Sequence, residues 1–388
     1  MERRRRQMNL RGHFTPGPEF GETLRAGARR AHETGEVDAA SLEALRRSGL
    51  LGMMVHEDHG GWGYPPATAN TVIEAVAADN PSIAIMLYLH CAVVVRIEQY
   101  GTEAQKKHWL PRVARGGELV ASAWSEPGST ADKRSLSTTA QRDTAGGWEI
   151  KGGKTFSTSA TVADFFIVLV QLPAGTETAH ATGPTYGGSD QALFLVEAAA
   201  PGVQVPPGAL DMAGMRGSGT GMVQFQDVTV AESNLLCSGS ATTEAIQLPH
   251  RLGLTLGAVS VGLAQAAHET ALGHARDRGL FGEPRFQRQL ASTEIAVRSA
   301  RAAVRDLTTG PADDRVLRAY CVKVFASETG ETVCGTVRGL LGSAGYLQAH
   351  EINRISHDAE AVTHMGPPTH LCLDLIAGRW DPAPGPDR

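Results

Sequence analysis

The sequence is poor in the features that mark several common classes of protein. It has five cysteines in 388 residues, Cys91, Cys237, Cys321, Cys334 and Cys372, and no two form a CxxC pair. Zinc-site spacing is therefore absent, and an odd, scattered set argues against a disulfide framework. A reducing, cytoplasmic setting is the expectation. Aromatic residues make up only 5%, so the core is expected to rest on Ala, Leu and Val. The net charge is −5 and the pI about 6.3, which provides no general basic field for nucleic acid. The longest apolar run, residues 83–95, is broken by His90 and falls short of the ~20 residues that cross a bilayer. The amino terminus carries Arg3 to Arg6 in a row and lacks the apolar core of a signal peptide. A soluble chain without a membrane partner is expected. No G-x-S-x-G elbow is present, so a serine hydrolase of that type has no support.

What is present is an ordinary globular composition, 42% hydrophobic and 20% charged, in a chain long enough for about two to four domains. Its periodicity divides it into three. Residues 1–118 form the first part, helical from about residue 20. Asn80 and Pro81 are a good cap and first residue for a long apolar helix ending near Gly101, and 103–113 continues as an amphipathic helix. Residues 119–232 change to period two. Segments 136–141 and 148–151 alternate about the turn Gly146-Gly147 and read as a hairpin. Segment 163–172 reads as a buried strand, 192–196 and 222–230 as further strands, and 173–190 as a mobile surface loop. Residues 233–388 return to helix, with spans expected at 252–276, 286–307, 316–339 and a short fourth at 371–377. The proline-rich tail 381–388 is expected to fray.

Four motifs carry possible chemistry. His56-Glu57-Asp58-His59 resembles a metal cluster, but its histidines stand at i and i+3 beside Gly60-Gly61, which is loop rather than helical ligand spacing; no metal is expected. Gly217-Ser218-Gly219-Thr220-Gly221 is followed by a strand, whereas a dinucleotide fingerprint needs a helix there; it reads as a turn. Trp124-Ser125-Glu126-Pro127-Gly128 and Gly152 to Ser159 each place an aromatic ring beside small hydroxyls at a strand end. That mixture suits a flat, hydrogen-bonding ring such as a flavin.

Taken together these segments resemble the acyl-CoA dehydrogenase family. Ser122-Ala123-Trp124-Ser125-Glu126-Pro127-Gly128 is similar to its first flavin signature and Gly152-Gly153-Lys154-Thr155-Phe156-Ser157-Thr158 to its second. Gly214 to Thr220 with Phe225-Gln226-Asp227-Val228 resembles the last strands of its middle domain. Arg278-Gly279-Leu280-Phe281-Gly282 with Gln287 resembles the segment that reaches a neighbouring subunit's FAD, and Gly342-Ser343-Ala344-Gly345-Tyr346 its glycine turn. The resemblance implies an α+β architecture of amino-terminal helical domain, middle antiparallel β-domain and carboxy-terminal four-helix bundle. It implies FAD, held by Trp124, Ser125, Thr130, Phe156 and Thr158 and, across a homodimer or homotetramer interface, by Arg278, Phe281 and Gln287. The implied activity is α,β-desaturation of an acyl thioester on CoA or a carrier protein, with a flavoprotein or oxygen as electron acceptor.

The sequence departs from that pattern where the family keeps its catalytic glutamate. Counting back from Asp374 puts Gly366 there, and glycine takes no proton. The alternative family position falls on Leu252 or, with a slip, His250, and the family's Gln before the glycine turn falls on Gly339. His250 and His364 are the candidate bases; Glu244 lies a turn too early, and His90 is expected in the core. Two alternatives follow. A reduced-flavin monooxygenase on this fold needs no carboxylate base, and a non-redox thioester-binding scaffold needs no flavin.

Overall fold

The computed structural model describes residues 17–128, 133–173, 186–188, 190–311 and 314–380. Five helices come first: α1 (Pro18–Thr34), α2 (Ala39–Ser48), α3 (Pro66–Asp79), α4 (Pro81–Tyr100) and α5 (Glu103–Ala114). Their ends follow the local chemistry. The Asn80 side chain accepts from the Ile83 amide at 3.1 Å to cap α4, and Thr102 and Gln105 form a reciprocal capping box on α5. The helix α4 is long and apolar enough by composition to cross a bilayer, yet 89% of its apolar window is packed inside the protein.

The strands are β1 (Val120–Ala123), β2 (Thr139–Arg142), β3 (Trp148–Ser157), β4 (Phe165–Gln171), β5 (Gln191–Glu197), β6 (Val203–Gln204), β7 (Gly221–Val230) and β8 (Leu235–Ser238). They form one sheet in the order β6-β7-β3-β2-β4-β5-β8, with β1 beside β4. The expected hairpin is present, with Arg142 opposite Trp148. Pairing is mostly antiparallel, but β1 runs parallel to β4, Val120 opposite Phe165. The sheet also continues past residue 232, because β8 pairs with β5. Strands β4 and β5 are buried on both faces. Phe165, Ile167 and Leu169 join the helical core, while Phe166, Val168 and Val170 join Trp148, Val223 and Phe225 on the other face. Alternation of side chains at period two divides one strand between two cores. The buried core is made mainly of Ala, Leu and Val as expected, and Phe165, Phe166, Phe194 and Phe225 add fully buried rings within the sheet.

The carboxy-terminal part holds α6 (Ser240–Leu252), α7 (Gly257–Arg278), α8 (Pro284–Asp306), α9 (Arg315–Leu341), α10 (Glu351–His364) and α11 (Thr369–Ala377). The span expected as one helix over 252–276 begins instead after a break. Gly253 adopts φ 86°, a left-handed conformation that ends α6. Buried Asn70 on α3 then clamps the turn, donating to Gly253 O at 2.8 Å and accepting from the Thr255 amide at 3.2 Å. The short helix expected over 371–377 is present as α11, and α10 is an additional bundle helix beyond those expected. Its apolar stripe is only Ile352, Ile355, Ala359 and Val362, at helical spacing but thin between polar residues.

His90 occupies the core as expected. Its Nε2 bonds Leu51 O at 2.9 Å and its Nδ1 accepts from the Val120 amide at 3.1 Å. Both ring nitrogens are used by a neutral imidazole, and burial pushes the pKa down to about 4. The unfolded chain binds this proton near pH 6.5 and the folded chain does not, so His90 lowers stability as pH falls from about 6.5 to 4. We expect wild-type unfolding free energy to drop by about 3 kcal/mol over that window from this group alone. The His90→Gln variant should show a shallower slope in urea unfolding at pH 7, 6, 5 and 4; an unchanged slope would remove the assignment.

Candidate functional site

Strands β1 and β3 end side by side, and one buried ion pair joins their ends. Lys154 Nζ lies 2.6 Å from Glu126 Oε1, with side-chain exposures of 0% and 2%. The same ammonium donates to Trp124 O at 3.3 Å, and Glu126 also accepts from the Ser137 hydroxyl at 2.7 Å and the Thr138 amide at 3.0 Å. Burial alone would raise the Glu126 carboxyl; the Lys154 charge and these donors overcome it and hold the pKa at about 2. The Thr155 amide donates to Ser125 O at 2.8 Å, so the two segments singled out in the sequence form one wall.

Phe156 stands on that wall with φ 49°, at an irregularity in the β3–β7 register between Lys154 and Ser157. A left-handed φ is strained for a non-glycine residue, and it turns the ring out of the sheet, leaving it 64% exposed. Thr158 accepts from the Thr220 hydroxyl at 3.3 Å, so the glycine-rich 217–221 segment serves as the turn into β7 that its sequence suggested. Facing this wall across a cavity of about 830 Å³ are α4, α6 and α10, with Tyr88, Arg96, His250, Glu360, His364 and Gly366 among the lining residues.

Four of the expected flavin residues, Trp124, Ser125, Phe156 and Thr158, line this single cavity. Thr130 lies outside the described residues. Arg278, Phe281 and Gln287 are not among the lining residues; they sit where α7 turns into α8, with Gln287 Nε2 donating to Phe281 O at 2.6 Å and Phe281 45% exposed. The wall fits a flavin by its own chemistry. Ser125 and Thr158 bring hydroxyls to the cavity lining, and the largely exposed Phe156 ring stands beside them.

His250 and His364 both reach the cavity. His364 is exposed, whereas His250 is 6% exposed, and its Nδ1 is buried without a partner. Burial, then the charges of Arg96 and Lys323, push the His250 pKa down to about 4. Glu244 is not among the cavity residues and lies 4.0 Å from Arg251. At Gly366 a Cβ atom would meet the Tyr186 hydroxyl at 3.0 Å. Tyr186 belongs to the stretch expected to be a mobile surface loop, yet it is buried and lines the cavity; a large aromatic amid small polar residues was the available signal. Arg96 was also missed, although it is the only charged residue among the first seventeen positions of an apolar helix. Glu360 is a further carboxylate at the cavity that the sequence reading did not single out.

The chain matches the acyl-CoA dehydrogenase amino-terminal domain over residues 20–117, the middle domain over 121–228 and the carboxy-terminal domain over 250–379. It is 29% identical over 357 residues to an acyl-CoA dehydrogenase of Bacillus subtilis, covering 90% of this chain and 91% of the relative. Its fold is similar to butyryl-CoA dehydrogenase from Megasphaera elsdenii (TM-score 0.83, 23% identity, 93% and 95% of the two chains). It is also similar to a dibenzothiophene monooxygenase from Paenibacillus sp. A11-2 (TM-score 0.80, 21% identity, 95% and 97%).

If the strand ends form the flavin wall, Trp124→Ala and Phe156→Ala should each weaken flavin binding by about tenfold. Ultrafiltration followed by flavin absorbance reads this directly, and wild-type retention in both variants would sink the assignment.

Proposed function

This chain belongs to the acyl-CoA dehydrogenase family, and from that premise we propose that it desaturates an acyl thioester between Cα and Cβ. It is a flavin-dependent oxidoreductase of the class acting on CH–CH bonds. The observation that carries the finer reading is the meeting, in one cavity, of the flavin wall and a buried imidazole at a place where residue 366 has no side chain.

A bound flavin supplies the two-electron acceptor for the hydrogen leaving Cβ. Trp124, Ser125, Phe156 and Thr158 bind and orient it. The proton from Cα goes to His250, and the double bond forms between the two carbons. A Cα proton of a thioester is weakly acidic, so a positioned base is needed. A neutral imidazole with pKa near 4 has about the basicity of an ordinary carboxylate. Arg278, Phe281 and Gln287, away from their own chain's cavity, would help hold the flavin of a second copy, and an external flavoprotein would serve as the electron acceptor.

The bare Gly366 also favours a second reading, a reduced-flavin monooxygenase, for which no base is needed at that position. Anaerobic mixing separates the two. A desaturase loses its yellow colour on addition of an acyl-CoA from a small panel; a monooxygenase keeps it until an external reductant is added, and then consumes oxygen. In the desaturase case His250→Gln should slow bleaching by about 10²-fold or more, whereas Glu360→Gln should change it little. Because the imidazole stays unprotonated above about pH 4, the bleaching rate should be level from pH 8 to 5 and fall only towards 4. A limb near pH 6.5, or equal rates in His250→Gln, would exclude His250 as the base.

A further inference from the structure

Arg96 lies in the last turn and a half of α4, 5% exposed, and lines the cavity. Part of its role is local. Pro249 within α6 has no amide hydrogen, so the Ala245 carbonyl loses its helical donor. Arg96 Nε supplies one at 2.7 Å, while Nη2 donates to Ile246 O at 3.1 Å and Nη1 to Ala92 O at 2.7 Å. That role requires donors, but it does not require a charge.

The charge itself has no counter-ion. Among the described residues Arg96 makes no salt bridge, and the groups nearest it in electrostatic effect are Tyr88, Tyr186, Cys237 and Tyr100, all neutral at physiological pH. Burial lowers the guanidinium pKa to about 10, so it remains a cation. Its plane lies 4.6 Å from the centroid of the Trp124 ring, which offsets only a small part of the desolvation cost. Three of its five N–H groups are engaged by carbonyls, leaving two. In the residues beside it, His250 Nδ1 and Trp124 Nε1 are both buried without hydrogen-bond partners. An enclosure built only for a hydrocarbon acyl chain would have none of these features.

We propose that Arg96 makes this end of the cavity a recognition site for a carboxylate carried by the acyl group, so that the preferred thioesters are those of dicarboxylic acids. The inference rests on the thioester reading above and goes one step further, to the chemistry of the acyl end. The guanidinium fork matches a carboxylate with its two remaining donors, and the bound anion neutralises a charge that the described residues leave unpaired.

The test compares adipoyl-CoA with hexanoyl-CoA, whose CoA phosphates are identical, so that any difference reports the acyl end. Binding is measured by calorimetric titration of the flavin-loaded protein, and anaerobic bleaching is recorded in parallel. The wild type should bind adipoyl-CoA at least tenfold more tightly. The ratio should fall to near one in Arg96→Met and to an intermediate value in Arg96→Lys, which keeps the charge but not the fork. Equal binding of both thioesters by the wild type would overturn the proposal, as would a ratio that survives in Arg96→Met. If Arg96→Met does not melt cooperatively, the wild-type ratio and Arg96→Lys decide. A binding preference without bleaching by either thioester would remove the desaturase reading and leave the carboxylate site standing.

Discussion

The candidate site depends on the contact between Lys154 and Glu126. Each charge costs several kcal/mol to bury, and the pair is tolerable only because their remaining valences are filled. Glu126 takes the Ser137 hydroxyl and the Thr138 amide, and Lys154 takes the Trp124 carbonyl. The pair therefore fixes three pieces of chain at once: the turn after β1, the start of β2 and the end of β3. Trp124 and Phe156, each two residues from a member of the pair, are held as a wall by this buried contact. The strained backbone at Phe156 is sustained by this surrounding framework.

The opposite wall is softer in construction and richer in polar groups. Pro249 interrupts the bonding of α6, and Arg96 repairs it from α4. This couples the two helices that carry the cavity's cation and its buried imidazole. At Gly366 the space a side chain would take is closely approached by the Tyr186 hydroxyl. That wall brings together Tyr88, Tyr186, His250, Glu360, His364 and Arg96, which makes no salt bridge among the described residues.

Much of the fold was legible because its signals are local. Asn80 and Pro81 announce α4, Thr102 and Gln105 cap α5, and alternation about Gly146-Gly147 marks the β2–β3 hairpin. The two segments around Trp124 and Phe156 were singled out for the same reason, since each is a short continuous stretch, and residues of both line the cavity. Helix α10 escaped because its apolar stripe is thin, and the break after α6 escaped because it depends on Asn70, far away in sequence. Strands β6 and β8 escaped because they are short and draw their stability from partners.

The sequence by itself determined the order of helices, sheet and bundle and the family the chain resembles, because propensity, capping and motif are properties of neighbouring residues. Only the tertiary structure decided which side chains meet across the cavity. Arg96 reaches carbonyls 149 and 150 residues away, His250 is stripped of solvent beside it, and Tyr186 is drawn inward from an apparently polar loop. Burial and charge pairing are set by distance in space, and no local pattern in the chain encodes that distance.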